Sequence, residues 1–79
     1  MSNNDDHFIQ PKITGYRQLN EQEAALMNEI KAAGVALGEL VEKLRSTDGL
    51  DLRWVSIGAT DLQIGLMALT RAVARPTTF

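Results

Sequence analysis

Apolar residues recur at helical spacing in the first half of the chain. Between positions 20 and 45 they follow one another at alternating intervals of four and three: Leu26, Ile30, Ala33, Leu37, Leu40 and Leu44. This spacing places them along one stripe of an α-helix, which Met27, Gly34 and Val41 widen. The pattern predicts a long amphipathic helix.

Polar residues mark where this helix begins and ends. Asn20 can accept a hydrogen bond from a backbone N–H of the first turn, and Glu23, three residues later, can answer it, which is the capping-box pattern. Ser46 to Gly49 has the composition of a turn, and a second helix is predicted from about Leu50 until Pro76 stops it. Each helix would have about 25 residues and a length of roughly 37 Å.

Such a short connection predicts an antiparallel helical hairpin, hence an all-α fold. The second helix, however, is apolar on two sides, about 100° or more apart. One stripe comprises Val55, Leu62, Leu66, Leu69 and Val73, and the other comprises Trp54, Ile57, Ile64 and Ala68. One partner helix cannot cover both stripes, so we predict that copies of the chain assemble into a homo-oligomer. A loosely packed monomeric hairpin is the alternative.

The small residues of both helices fit the same prediction. Gly34, Gly38, Gly58 and Gly65 each lower helix propensity by roughly 1 kcal/mol relative to Ala, which close approach of another backbone would offset. With only 79 residues and no cysteine, the chain has neither a large core nor disulfides to stabilise it. Self-association is the remaining common source of stability.

The residues before the first helix show no periodicity. They contain Pro11, Gly15 and several Asn and Asp residues. We therefore predict a flexible N-terminal tail over residues 1–14. A hairpin domain for oligomerisation and ligand binding follows over residues 15–79, with an irregular or short-helical segment at its start.

Charge and hydropathy exclude several partners. The first residues are polar and acidic, which is unlike a secretory signal, and the apolar stretch Ile64–Leu69 is far shorter than the roughly 18 residues of a membrane span. A net charge of −2 without a basic cluster argues against long nucleic acid. A cytoplasmic protein with no membrane partner is expected.

Residues suited to catalysis or metal binding are scarce. His7 is the only histidine, and Asp5, Asp6 and His7 are adjacent in the tail rather than spaced as ligands of a preorganised site. We expect a binding protein that is not an enzyme and that uses neither a cofactor nor a metal.

The basic residues differ in whether their own helix supplies a carboxylate. Lys43 has Glu39 four residues before it, and Arg45 has Glu42 three residues before it. Lys31 and Arg53 have no such partner.

Lys31 flanks the apolar stripe, and Arg53 stands in the first turn of the second helix, where free N–H groups favour an anion. Both positions suit phosphate. The alternative is that both are ordinary solvated cations.

Tyr16 lies four residues before Asn20, so a folded-back loop would bring its ring near the first helix. An aromatic ring beside a cation suits a nucleotide, since base stacking contributes roughly 1–3 kcal/mol. The alternative is a packing residue with a solvated hydroxyl group.

Five stretches of the chain carry a resemblance to known proteins: Gly15–Leu19, Leu26–Lys31, Arg53–Gly58, Thr60–Gln63 and Met67–Pro76. Through them, over about residues 15–79, the chain resembles the phage anti-CBASS cyclic-nucleotide sponge family. It implies a helical protein that assembles as a hexamer. Such proteins sequester, without cleaving them, the cyclic oligonucleotides that activate CBASS effectors in the infected bacterium. The connection between the helices is shorter here than in other members.

The resemblance also implies site residues. Tyr16 would stack on a base of a cyclic dinucleotide and Lys31 would hold its phosphate, in pockets shared between subunits. Arg53 would contact the phosphates of cyclic trinucleotides in a separate pocket near a three-fold axis. The second hypothesis is a structural or regulatory helical oligomer that binds protein partners through its apolar face.

Overall fold

The computed structural model describes Gly15 and residues 17–79. In this part of the chain, two α-helices pack side by side. Helix α1 spans Glu21–Arg45 and helix α2 spans Leu52–Ala74, with 25 and 23 residues. Glu23 near the start of α1 contacts Arg75 just after α2, so the helices are antiparallel. The predicted all-α hairpin is confirmed. The predicted tail over residues 1–14 lies outside the described residues.

The start of α1 is fixed by the capping box that the sequence predicts. The backbone N–H of Glu23 donates to the Asn20 side chain at 2.8 Å, and the backbone N–H of Asn20 donates to the Glu23 carboxylate at 3.0 Å. These bonds satisfy donors that a helix start otherwise leaves unpaired. At the other end, the hydroxyl groups of Ser46 and Thr47 donate to carbonyls of the last turn of α1.

Helix α2 begins slightly later than predicted, because Asp51 caps it. The Asp51 carboxylate accepts from the backbone N–H groups of Arg53 at 3.1 Å and Trp54 at 3.3 Å, so the connection spans residues 46–51. At its C-terminal end, Arg75 adopts a left-handed conformation with φ of 42°, and its N–H donates to the carbonyl of Arg71. The helix thus ends before Pro76, as predicted.

The face of α1 that meets α2 is rotated relative to the predicted stripe. The half-buried apolar positions are Met27, Ile30, Gly34, Leu37, Val41 and Leu44. The other half of the predicted stripe, Leu26, Ala33 and Leu40, remains exposed. A Cβ atom at Gly34 would lie 3.4 Å from Leu66 Cδ1, so Gly34 lies on the side of α1 that faces α2.

Helix α2 leaves much of its apolar surface uncovered. In the first predicted stripe, Val55, Leu66 and Val73 are half-buried, whereas Leu62 and Leu69 are exposed. In the second stripe only Ile57 is half-buried, and Trp54, Ile64 and Ala68 are exposed. No described residue is fully buried. The prediction that one partner helix cannot cover both stripes is therefore confirmed for the described part of the chain.

The glycines divide in the same way. A Cβ atom at Gly38, Gly58 or Gly65 would meet nothing within 4 Å, whereas one at Gly34 would contact Leu66. Neither described helix is sufficiently long and apolar to traverse a lipid bilayer.

Candidate functional site

The hairpin has an apolar face with a groove running along the helix pair. From the open end to the connection it is lined on α1 by Leu26, Ala33 and Leu40, and on α2 by Leu69, Leu62 and Trp54. Gly65 lies in the middle of this groove. The groove is a concave apolar surface that water contacts in the single chain.

The opposite side of the hairpin is a polar face. Gly38 and the polar side chains of Glu42, Arg45 and Gln63 line a depression there, together with apolar residues that include Leu37 and Leu62. Lys31 precedes Gly38 by seven residues, which is close to two helical turns, so it belongs to the same face.

Lys31 is exposed and forms no ion pair within 4.0 Å with any other described residue. The predicted Arg45–Glu42 pair is present at 3.7 Å. The prediction that Lys43 pairs with Glu39 is wrong, because the ion pairs of the described residues do not include this contact. Exposed pairs of this kind contribute little, so nothing holds the long Lys43 side chain in place.

Arg53 is exposed at the connection end of the hairpin, and its guanidinium lies 5.7 Å from the centre of the Trp54 ring. It too forms no ion pair with another described residue. The reasoning that first-turn N–H groups would help it bind an anion is wrong in part, because Asp51 already accepts from the N–H groups of Arg53 and Trp54. The guanidinium itself remains available.

The structure does not bring Lys31 and Arg53 together. Lys31 lies 14 residues before the last residue of α1, which is roughly 21 Å of helix at 1.5 Å per residue. Arg53 stands beyond the connection, in the first turn of α2. One chain therefore presents two separate cationic positions. Tyr16, the third predicted site residue, lies outside the described residues.

An ion-pair cluster of Arg17, Glu23 and Arg75 closes the open end of the hairpin. Arg17 donates to the Glu23 carboxylate at 2.5 and 3.3 Å and also to the carbonyl of Val73 at 2.9 Å. Arg75 donates to the same carboxylate at 3.0 Å. The hydrogen bonds from Arg17 are the main reason that the pKa of Glu23 falls from 4.5 to about 2. Glu23 is therefore a carboxylate at any physiological pH.

Gly15 is held against the segment that follows α2. The backbone N–H of Thr77 donates to the carbonyl of Gly15 at 2.6 Å. Gly15 has φ of +89°, and a Cβ atom there would overlap the Thr78 hydroxyl, so only glycine fits. The two ends of the described chain are thus joined at the open end of the hairpin.

Sequence reasoning found part of this cluster and missed the rest. It identified Glu23 through the capping box, but Arg17 precedes Glu23 by six residues and Arg75 follows it by 52. Neither separation is a helical spacing. The available signal was that both arginines lie just outside a helix, at ends that an antiparallel hairpin brings together.

The described residues include no cluster of three or more side chains that could hold a metal ion. Asp5, Asp6 and His7 lie outside the described residues.

Comparison with known proteins places this geometry in context. Residues 11–74 match the family model described as Acb2/Tad1, hairpin domain. Anti-CBASS protein 2 of Pseudomonas phage JBD67 is 32% identical over 99 residues, a match that covers 82% of this chain and 92% of the relative. Because the match is longer than this whole chain, it includes residues of the relative that have no counterpart here.

Proposed function

This chain belongs to the Acb2/Tad1 hairpin-domain family, and we propose that it is a phage protein that counters CBASS immunity by sequestering cyclic oligonucleotides. The family resemblance read from the sequence is thereby confirmed. In this proposal the protein binds cyclic di- and trinucleotide messengers in the cytoplasm of the infected bacterium. Its action is stoichiometric, because bound messenger is withheld from host effectors.

The observation that carries the proposal is the placement of two exposed cations. Lys31 and Arg53 lie on separate surfaces, and neither is neutralised by another described carboxylate. A cation already paired with a carboxylate would have to break that pair before it held a phosphate. These two residues are free to bind phosphate groups directly.

This separation supports two ligand sites, and the family resemblance supplies the ligand class of each. We assign Tyr16 and Lys31 to the cyclic dinucleotide, with Tyr16 stacking on a base and Lys31 holding a phosphate. We assign Arg53 to the phosphates of cyclic trinucleotides. Within one subunit, one small ring does not reach both Lys31 and Arg53 across roughly 21 Å of helix.

Assembly is the second part of the proposal. The apolar groove and the absence of any fully buried described residue favour a homo-oligomer, which we propose to be a hexamer with sites shared between subunits. Around a three-fold axis, three Arg53 side chains would face three phosphates. A single substitution at Arg53 would then remove all three contacts.

The proposed mechanism has no chemical step and needs no cofactor or metal. The ligand therefore leaves the protein in the form in which it was bound. This separates the proposal from a phosphodiesterase, which would release linear products.

The test is calorimetric titration of the full chain with a panel of cyclic di-AMP, cyclic di-GMP, cyclic GMP–AMP and cyclic tri-AMP. The bound nucleotide is then released by denaturing the protein and identified by chromatography. We expect saturable binding and recovery of intact ligand. Absence of binding across the panel, or recovery of linear nucleotide, would refute the proposal.

The apolar groove also favours the second hypothesis, a structural or regulatory oligomer that binds protein partners through this face. The same titration separates the two functions. A purely structural oligomer shows no heat of binding with any cyclic nucleotide. Substitution of Lys31 or Arg53 does not change this result.

A further inference from the structure

We propose that Arg17, Glu23 and Arg75 form a clamp that positions the Tyr16 segment, so that cyclic-dinucleotide binding depends on the end of α2. In this inference, which rests on the proposed function, Glu23 is a positioning residue that does not touch the ligand. Its charge holds together three parts of the chain: the segment before α1, the first turn of α1 and the residue that ends α2.

The first anchor is Arg17, the residue that follows Tyr16. Its guanidinium donates to both oxygens of Glu23 and to the carbonyl of Val73, so it is tied to both helices at once. The Glu23 side chain is only 13% exposed, which limits screening of the pair by water and salt. This anchor therefore restrains the chain on one side of Tyr16.

The second anchor is Gly15, the residue that precedes Tyr16. Its carbonyl accepts from the backbone N–H of Thr77, and its positive φ and lack of a side chain allow Thr78 to pack against it. Tyr16 is covalently joined to both anchored residues. Both neighbours of the proposed stacking residue are therefore held by contacts to the end of α2 and the segment after it.

The clamp residues are more suited to positioning than to holding phosphate. Glu23 already accepts hydrogen bonds from Arg17 and Arg75. A phosphate that took Arg17 would leave the Glu23 carboxylate without its main partner. Lys31, which has no such partner among the described residues, is the better phosphate ligand.

The clamp affects the affinity for the ligand by changing the fraction of molecules in which the binding site is formed. The apparent dissociation constant equals the intrinsic constant divided by that fraction. If loss of the clamp leaves the segment docked in about one molecule in ten, the cyclic dinucleotide binds about tenfold more weakly. Arg53 at the opposite end of the hairpin is not affected.

The sharpest variant is Glu23→Gln. A glutamine at this position of a capping box can still accept from the backbone N–H of Asn20, so the start of α1 is retained. The substitution removes the negative charge and replaces one acceptor oxygen with an NH2 group, which cannot accept from Arg17 or Arg75. The matched control is Glu42→Gln, which removes the exposed Arg45 pair near the connection.

The experiment titrates each variant with the cyclic dinucleotide that the wild type binds most tightly and with cyclic tri-AMP. For Glu23→Gln we expect the dissociation constant of the cyclic dinucleotide to rise about tenfold or more. The affinity for cyclic tri-AMP and the mass of the oligomer should remain those of the wild type. Glu42→Gln should leave both ligands unchanged. A merely structural role for Glu23 would weaken the binding of both ligands together, whatever the change in the thermal midpoint.

Gly15→Ala tests the second anchor. If Glu23→Gln does not fold, this variant decides whether the clamp controls cyclic-dinucleotide binding. An added methyl group would collide with Thr78, so the same selective loss of the cyclic dinucleotide is expected. A folded variant that binds the cyclic dinucleotide as tightly as the wild type, or loses both ligands equally, overturns the inference alone. A wild type that binds no cyclic dinucleotide overturns both the inference and the proposed site.

Discussion

A lysine in the apolar groove should dissociate the proposed oligomer without damaging the hairpin. Gly65 is the position of choice because a Cβ atom there meets nothing within 4 Å in the single chain. Replacing an exposed helical glycine with lysine also improves helix propensity, by roughly 0.5–1 kcal/mol. Leu66 is a poorer position, because it is half-buried against α1 and a charge there would disrupt the hairpin itself.

The exposed leucines of the groove determine how much free energy the assembly gains when the groove is covered. Their exposed fractions are 40% for Leu26, 48% for Leu40, 38% for Leu62 and 56% for Leu69. Together these amount to nearly two whole leucine side chains. At about 1.5–3 kcal/mol for each fully buried leucine, covering them stabilises the assembly by about 3–5 kcal/mol per chain. An unpaired charge buried in an interface costs several kcal/mol, so one lysine per chain offsets most of that gain.

The assay is multi-angle light scattering after size exclusion, with circular dichroism to measure helix content. We expect the wild type to be larger than a dimer and Gly65→Lys to be smaller than the wild type, with its helix content retained. Gly38→Lys is the matched control, since Gly38 is an equally open helical glycine on the polar face. A Gly65→Lys protein of wild-type mass would refute the assignment of the groove to self-association, as would equal dissociation by Gly38→Lys.

The remaining predictions concern ligands and pH. Tyr16→Ala and Lys31→Ala should each weaken cyclic-dinucleotide binding by roughly 1–3 kcal/mol in calorimetric titration and leave cyclic-trinucleotide binding unchanged. Arg53→Ala should weaken only cyclic-trinucleotide binding. Equal losses of both ligands in all three variants would mean that there is one shared site. Cyclic tri-AMP should change the fluorescence of Trp54, the only tryptophan, because Arg53 lies 5.7 Å from its ring, and a cyclic dinucleotide should not; identical changes would contradict separate sites. Because the pKa of Glu23 is lowered from 4.5 to about 2, its stabilising contribution is complete above pH 4.5 and is lost as the pH falls toward 2. The thermal midpoints of wild type and Glu23→Gln should therefore converge over that range, and a constant difference would contradict the assignment.

Local rules were sufficient to predict both helices and the turn between them. The Asn20–Glu23 capping box acts over three residues, and Pro76 excludes the preceding residue from a helix through its own ring. Such signals do not depend on what the rest of the chain does. They gave the start of α1 at the correct residue and the end of α2 within two residues.

The side of α1 that meets α2 was not predictable in the same way. Leu26, Ala33 and Leu40 are as apolar as the residues on the seam, so hydropathy alone does not separate the two rows. The choice depends on which row of α1 the second helix packs against, and the folded hairpin shows that it is the row with Gly34 beside Leu66. The clamp was missed for the same reason, since its partners meet only once the hairpin has folded.

The absence of a buried interior among the described residues links the proposed function to assembly. A hairpin that leaves its apolar groove open gains further stability when that groove is covered, and the proposed sites shared between subunits would form in the same step. Ligand binding then stabilises the oligomer by mass action. When the protein is diluted below the concentration at which it assembles, the amount of ligand that it binds would therefore fall more steeply than the protein concentration. Early, abundant synthesis would therefore matter to sequestration as much as the affinity of each site.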